Sequence, residues 1–196
     1  MANSKIYLGN INIGSLFQGA DDISIYLGNE KVYPLEEPTF QGKWLATYSD
    51  SSVTSAECDS SSGKIVGEEI SKTNLVSVEV GDCVASIGVS AFTNATSIEE
   101  VVLPEGLTLI DFGSFKGCTS LTSVTIPSTV TVIGTDSFSG CTGLLSITFL
   151  SETPIRVYTN TFYDSTCPIY VPAVSVEDYK AAQGWSTYAS RIQAIP

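Results

Sequence analysis

Histidine is absent from this chain of 196 residues, so any catalytic chemistry would rest on carboxylates, tyrosines and cysteines. Histidine is the commonest general base and metal ligand in proteins. Adjacent acids such as Glu99–Glu100 and Asp21–Asp22 could be considered as pairs. Neighbouring residues on a strand point to opposite faces, however, and cannot converge on one bond. Since the sequence also lacks a nucleophile motif and a cluster of metal ligands, we predict a protein that is not an enzyme and holds no cofactor or metal.

The cysteines do not form the pattern of a disulfide-stapled protein. Five of them are scattered along the chain: Cys58, Cys83, Cys118, Cys141 and Cys167. An odd number over this length does not indicate a disulfide framework. Cys118 and Cys141 lie at matching positions in two copies of a repeated segment, and an earlier copy carries Ala95 there. The position therefore accepts a small, buried apolar group. We predict two buried thiols there, although a bridge between them is sterically feasible.

The charge balance excludes two classes of partner. The net charge is −12, from 9 basic and 21 acidic residues. Between residues 75 and 171 only Lys116 and Arg156 are basic. Such a field repels phosphate backbones and anionic membrane surfaces, so we predict no nucleic-acid partner. No apolar run reaches 18 residues, which predicts no membrane insertion.

Residues 75–172 repeat at a step of 23. Each repeat places three apolar residues at matching positions, then an Ile, then a Phe. The first set of columns is Leu75, Val78, Val80; Ile98, Val101, Leu103; Leu121, Val124, Ile126; and Leu144, Ile147, Phe149. The second is Ile87, Ile110, Ile133, and the third is Phe92, Phe115, Phe138, with Phe162 one residue late. Such columns predict a mainly β solenoid of about four repeats, in which each repeat buries its apolar face against its neighbours.

Strand alternation assigns the residues between the buried columns to an outward face. This face is rich in hydroxyls and acidic at one end, and it is the candidate recognition face. Its members are Ser77, Glu79, Glu100, Val102, Ser123, Thr125, Ser146, Thr148 and Tyr170. Thr and Ser are also common on exposed strands for structural reasons, so a structural role stays open beside recognition. A hydrogen-bonding face of this kind suits neutral glycan or a basic patch on a protein.

The N-terminal residues 1–35 form a second, smaller pattern. Ile6–Asn10 returns as Ile25–Asn29, and each copy ends in Gly-Asn, a turn signal. We predict two β-hairpins that either cover one end of the solenoid or dock onto a partner or onto other copies of the chain. The candidate docking residues are Ile6, Tyr7, Leu8, Ile25, Tyr26, Leu27, Val32 and Tyr33. An extended linker, residues 36–39, follows.

Two further segments are predicted to cover the ends of the repeats. Residues 40–74 should form short strands and turns, with Trp44 packed against the first repeat. Residues 173–196 should contain a helix with Ser175 as N-cap, running to about Gln183. Val176, Tyr179 and Ala182 would lie on its buried face.

The repeat unit from Leu121 to Thr142 closely resembles the BspA-like (Treponema-type) leucine-rich repeat, and the resemblance covers roughly residues 70–195. It implies the leucine-rich-repeat fold and surface adhesion, without binding residues that can be transferred. The paired Ile-Tyr-Leu-Gly-Asn is similar to the N-termini of structural proteins from Bacteroidetes phages. The first residues also lack a secretory signal pattern. We therefore predict a virion decoration or fibre-type protein, assembled in the host cytoplasm and docked on a capsid or tail protein. The alternative is a bacterial cell-surface or secreted adhesion protein.

Overall fold

The computed structural model describes residues 25–27, 30–32, 43–56, 63–65, 70–158 and 160–196. The chain divides into two units, Met1–Phe40 and Gln41–Pro196. The protein is mainly β with a repeated architecture, as the sequence predicts.

In the first unit, strands β1 (Ile25–Leu27) and β2 (Glu30–Val32) pair antiparallel, with Ile25 opposite Val32. This is the second of the two predicted hairpins. The docking residues Ile6, Tyr7, Leu8 and Tyr33 lie outside the described residues, as does the linker.

Two stacks of short parallel strands build the second unit. The first stack holds β6 (Leu75–Val80), β8 (Glu100–Val102), β10 (Ser123–Ile126), β12 (Ser146–Phe149) and β14 (Ile169–Val171). The second stack holds β5 (Lys64–Ile65), β7 (Ser86–Ile87), β9 (Leu109–Ile110), β11 (Val132–Ile133) and β13 (Arg156–Val157). Each repeat contributes one strand to each stack, and the pairing keeps the predicted register: Val124 lies opposite Ile147, and Ile110 opposite Ile133.

The core lies between the stacks and is formed by the predicted apolar columns. Of these residues all are buried except Leu103, which is partly buried. The phenylalanines of successive repeats stack on one another, with ring centroids 5.1 Å apart for Phe92 and Phe115 and 5.9 Å apart for Phe138 and Phe162. Fully burying one such side chain is worth about 1.5–3 kcal/mol, so the columns stabilise the fold strongly.

The turns beside the phenylalanines form a third hydrogen-bonded ladder. The Phe92 N–H donates to Ser114 O over 2.7 Å, and the Phe115 N–H donates to Ser137 O over 2.9 Å. Two positions per repeat have positive φ, and they carry mostly Gly, Asn or Asp, which tolerate the left-handed region. These positions are Ser90, Gly113, Asp136, Asn160 and Asn94, Gly117, Gly140, Asp164. Residues of these types at these positions allow the chain to turn tightly within each repeat.

At the N-terminal end of the repeats, β3 (Trp44–Tyr48) and β4 (Val53–Ala56) form an antiparallel hairpin that pairs with β6. Trp44 is buried opposite Val80, in the packing role expected of it. The segment also supplies β5, which the sequence did not reveal as part of the repeat. The step from Ile65 to its partner Ile87 is 22 residues rather than 23, so the regular spacing misses it.

The C-terminal segment differs from its prediction in three ways. The helix α1 (Val176–Ala181) is six residues long and ends before Gln183. Ser175 makes no capping hydrogen bond. It ends a 3-10 turn (Ala173–Ser175) with ψ 0°, whereas an N-cap needs extended backbone. A second 3-10 helix (Ser186–Arg191) and strand β15 (Ile192–Ala194), which pairs with β14, were not predicted.

The predicted inner side of the C-terminal helix is correct, because Tyr179 is fully buried and Val176 and Ala182 pack against the core. Trp185 is fully buried beyond the helix, and its ring meets that of Phe149 edge-on at 5.1 Å. The last repeat is therefore covered by aromatic side chains.

The cysteines follow the prediction in the repeats. Cys118 and Cys141 are free and buried, and so is Cys167. The first two thiols donate to carbonyls of the preceding repeat, Cys118 Sγ to Phe92 O at 3.2 Å and Cys141 Sγ to Phe115 O at 3.0 Å. Cys83 is disulfide-bonded.

Candidate functional site

The nine predicted recognition residues lie on the five strands of the first stack, and none of them is buried. Alternation places Val124 and Ile147 in the core and leaves their neighbours at the surface. We call this surface the strand face. Its most regular part is a row in which Thr125 lies opposite Thr148, and Thr148 opposite Tyr170. Parallel pairing holds these groups about 4.8 Å apart from strand to strand.

The strand face is interrupted at one point, between β8 and β10. Strand pairing gives one sheet of order β4-β3-β6-β8 and another of order β10-β12-β14-β15. Ser77 is paired with Glu100, and Ser123 with Ser146, but Glu100 is not paired with Ser123.

One hydrogen bond between strands is missing at this interruption. In the next repeat, the Leu150 N–H donates to Ile126 O over 3.0 Å. The matching residue between β8 and β10 is Pro127, which has no N–H, so this bond is lost. The Thr122 N–H still donates to Glu99 O, at 3.3 Å. A shallow cleft of about 230 Å³ opens along the break, lined in part by Glu100, Val102, Ser123 and Thr125.

The strand face has a graded electrostatic character. Glu79 and Glu100 lie at its N-terminal end, and the hydroxyls of Ser123, Thr125 and Thr148 lie beyond the break. Burial, with smaller contributions from Asp82 and Glu100, raises the pKa of the Glu79 carboxyl. The face is therefore built to accept neutral or cationic groups and to repel anions.

Several polar groups inside the repeats have structural rather than chemical roles. The Ser137 hydroxyl donates to Gly134 O and to Asp111 O of the preceding repeat, both over 2.8 Å. The neighbouring Cys141 thiol, together with burial, raises the pKa of the Cys118 thiol, which disfavours a reactive thiolate. Across the part of the chain that the structure describes, no three His, Cys, Asp or Glu side chains are grouped to hold a metal ion.

The sequence profile of the BspA type leucine rich repeat region matches residues 46–169 in six copies. The chain belongs to the BspA type leucine-rich repeat family. The six copies exceed the four repeats predicted, and they begin upstream of Leu75, in keeping with the early position of β5. Membership defines the kind of repeat, and it assigns no ligand.

Two solved structures of bacterial leucine-rich repeat proteins are similar to this member of the BspA type family. The protein from Eubacterium ventriosum is 15% identical with a TM-score of 0.45, and the match covers 66% of this chain and 34% of that one. The protein from Bacteroides ovatus is 17% identical with a TM-score of 0.35, and the match covers 79% and 55% respectively. This chain thus spans between a third and about half of the length of these proteins. No curated protein matches it.

A second surface of the BspA type repeats was missed by sequence reasoning. A groove of about 780 Å³ lies between the last strand of the second stack, β13, and the C-terminal segment. Arg156 and Tyr158 line one side, and Gln183 and Tyr188 line the other. One signal was available, because Arg156 is one of only two basic residues between positions 75 and 171. Within the described residues, no helix is long and apolar enough to cross a membrane.

Proposed function

We propose that this protein is a non-enzymatic binding and adhesion protein whose strand face contacts a surface-exposed glycan or a basic patch of a protein. The observation that carries the proposal is the row formed by Thr125, Thr148 and Tyr170, in which strand register fixes two hydroxyls and a phenol at regular intervals. A rigid row of donors and acceptors suits a ligand that presents hydroxyls or amides at intervals. Because the strands already hold the side chains in position, little conformational entropy is lost on binding.

The charges of the strand face support a neutral or cationic ligand. Glu79 and Glu100 end the row of hydroxyls, and the chain as a whole carries a net charge of −12. An anionic polymer would be repelled at this face. A neutral sugar would meet the hydroxyl end, and a basic protein patch would also use the acidic end.

We prefer the proposal that the repeats are displayed on a virion. The repeated Ile-Tyr-Leu-Gly-Asn of the first unit, whose second copy includes β1, supports a docking role for residues 1–35 on a capsid or tail protein, or on further copies of the chain. Family membership supports the second candidate, a bacterial cell-surface or secreted adhesion protein. In either case many weak contacts on one particle or cell would add up to firm attachment.

Binding at the strand face is tested with the double variant Thr125→Lys/Thr148→Lys, which keeps two surface positions but replaces hydroxyls by bulky cations. Binding of the full chain to immobilised neutral glycans, such as desialylated mucin glycans, and to a basic protein such as histone is measured by interferometry. We expect the variant to lose binding by about tenfold or more, since two neighbouring contacts are removed. The control Thr142→Lys makes the same change at an exposed turn. Equal binding by all three proteins would refute the proposed face.

The carrier is tested separately by comparing the full chain with a chain lacking residues 1–37. We expect only the full chain to associate with phage particles, and light scattering to show whether residues 1–37 also cause self-association. Particle association that survives the deletion would exclude the docking role and favour the bacterial adhesion protein.

A further inference from the structure

We propose that the groove between β13 and the C-terminal segment binds a sugar that bears a carboxylate, with Arg156 pairing with the carboxylate. This site is separate from the strand face and has the opposite charge. It would therefore give the protein a second specificity, for acidic sugar residues that the strand face repels.

The two walls of the groove are fastened to each other. The Trp185 Nε1–H donates to Ile155 O over 2.8 Å, which ties the C-terminal segment to the start of β13. Gly184 has φ +87°, and a Cβ on it would lie 2.8 Å from Val157 O. Because only glycine permits this approach, the C-terminal segment can lie directly against β13 at this point. A pre-formed site of this kind loses little conformational entropy when a ligand binds.

The size of the groove suits a small ligand. Its volume of about 780 Å³ lies within the range of about 300–1,000 Å³ that is usual for small-molecule sites. The lining is mixed in character, with backbone and aliphatic groups at the floor and aromatic and amide side chains at the rim. It consists of Pro154, Ile155, Arg156, Val157, Tyr158, Asn160, Ala182, Gln183, Gly184, Thr187 and Tyr188.

The charge of the groove indicates that its ligand is an anion. Arg156 is the one charged side chain among these lining residues, in a protein whose net charge is −12. Its Nη1 donates to Tyr158 Oη at 3.3 Å, which orients the guanidinium. The remaining N–H groups are directed in a planar fork, the geometry that binds a carboxylate through two parallel hydrogen bonds.

The remaining lining groups indicate that the carboxylate is carried by a sugar ring. Tyr158 is 44% exposed and presents an aromatic face beside Arg156. Tyr188 is held in place by an edge-on contact with Phe162 at 5.2 Å and by the Arg191 guanidinium 5.6 Å from its ring. An apolar ring with a polar tip suits the C–H face of a sugar with its hydroxyls.

Amide and hydroxyl side chains complete this recognition. Asn160, Gln183 and Thr187 each offer both a donor and an acceptor at the rim of the groove. Sugar hydroxyls need both kinds of partner, whereas a carboxylate on a simple acid needs donors alone. The combination therefore favours a uronic or similar acidic sugar over a small organic anion.

The proposal is tested by titrating the full chain, labelled with ¹⁵N, with glucuronate, with glucose and with acetate. Glucose lacks the carboxylate, and acetate lacks the ring. We expect glucuronate to shift the amide signals of residues 155–158 and 183–188, and to bind about tenfold more tightly than either control. Arg156→Gln should weaken the binding of glucuronate about tenfold, because a hydrogen-bonded charge pair is lost. The affinity of Arg156→Lys should lie between those of the parent and Arg156→Gln, because lysine retains the charge without the planar fork of N–H groups.

Two control proteins test whether glucuronate binds in the groove rather than elsewhere on the protein. Lys116→Gln makes the same change of charge at a cation that pairs with Asp136 at 3.1 Å, and should bind glucuronate like the parent. Thr125→Lys/Thr148→Lys should also retain glucuronate binding, whatever becomes of the strand face. The proposal would be overturned if glucose or acetate bound as tightly as glucuronate. It would also be overturned if Arg156→Gln bound glucuronate like the parent, or if only residues outside the groove shifted. Tighter binding of a short acidic peptide than of glucuronate would overturn it as well, and would assign the groove to a protein partner.

Discussion

The rings of Phe115 and Phe138 are stacked within 11° of parallel, with their centroids 5.2 Å apart. These residues are separated by 23 positions in the sequence, so the stack converts the repeat into a continuous column of aromatic packing. Phe162 extends the column to the C-terminal segment, where its ring lies 6.1 Å from that of Trp185. A repeat protein depends on such contacts between neighbours, because each repeat contacts little else.

Phe115→Ala should therefore destabilise the protein strongly. The change removes a fully buried ring from the middle of the column, and we expect the free energy of unfolding in urea to fall by about 3–5 kcal/mol. Phe112→Ala is a matched control three residues away, because Phe112 is 46% exposed. Its effect should stay within about 0.5 kcal/mol. Similar losses for the two variants would contradict the proposed dependence on the stack.

Ser137→Ala tests the buried hydroxyls that join successive repeats. The substitution removes the Ser137 donor from Asp111 O and Gly134 O, which should cost about 0.5–1.5 kcal/mol because both carbonyls keep other donors. Steric strain is not expected, since the first repeat carries Ala91 at the matching position, where it is buried. Ser123→Ala, at the exposed strand face, should change the unfolding free energy by no more than about 0.5 kcal/mol. Urea denaturation of both variants measures the difference.

The core and the strand face could be predicted from sequence because both follow from periodicity. Val124 and Ile147 recur at one step, so their burial and the surface position of Thr125 and Thr148 follow from strand alternation alone. Strand β5 was missed because its spacing to β7 departs from that step by one residue.

The break in the strand face and the groove could not be predicted in the same way. Proline does not mark the break, because Pro104 occupies the position that matches Pro127 and β6 and β8 remain paired there. The groove depends on Trp185 reaching Ile155, a contact across 30 residues that no repeat relates. Local patterns carry no information about such a contact. The docking role of residues 1–35 stays a prediction.

The free thiols in the repeats should be unreactive in the folded protein. Cys118, Cys141 and Cys167 are buried, and a thiol must be accessible as thiolate to react. Treatment of the native protein with a maleimide, followed by mass spectrometry of peptides, should find no adduct on these residues, whereas unfolding in urea should expose all of them. The variant Ser123→Cys provides an exposed thiol as positive control. An adduct on Cys141 under native conditions would show that the repeats open locally.

Tyr179 should make the stability of the protein sensitive to alkaline pH. Its hydroxyl donates to Ser151 O and Thr153 O, both at 3.1 Å, and burial raises its pKa from 10.0 to about 12. Below pH 10 the phenol is neutral in the folded and unfolded chains, so its contribution is fully present. As the pH rises from 10 to about 12, the unfolded chain loses the proton first, and this contribution is lost. Tyr179→Phe should be less stable than the parent by about 1–2 kcal/mol below pH 10, because the carbonyl of the buried Ser151 and that of the exposed Thr153 lose their donor. The difference between the two proteins should shrink as the pH approaches 12, which urea unfolding at both ends of this range would measure. A constant difference across the range would mean that the pKa of Tyr179 is the same in the folded and unfolded chains, which would contradict the effect of burial.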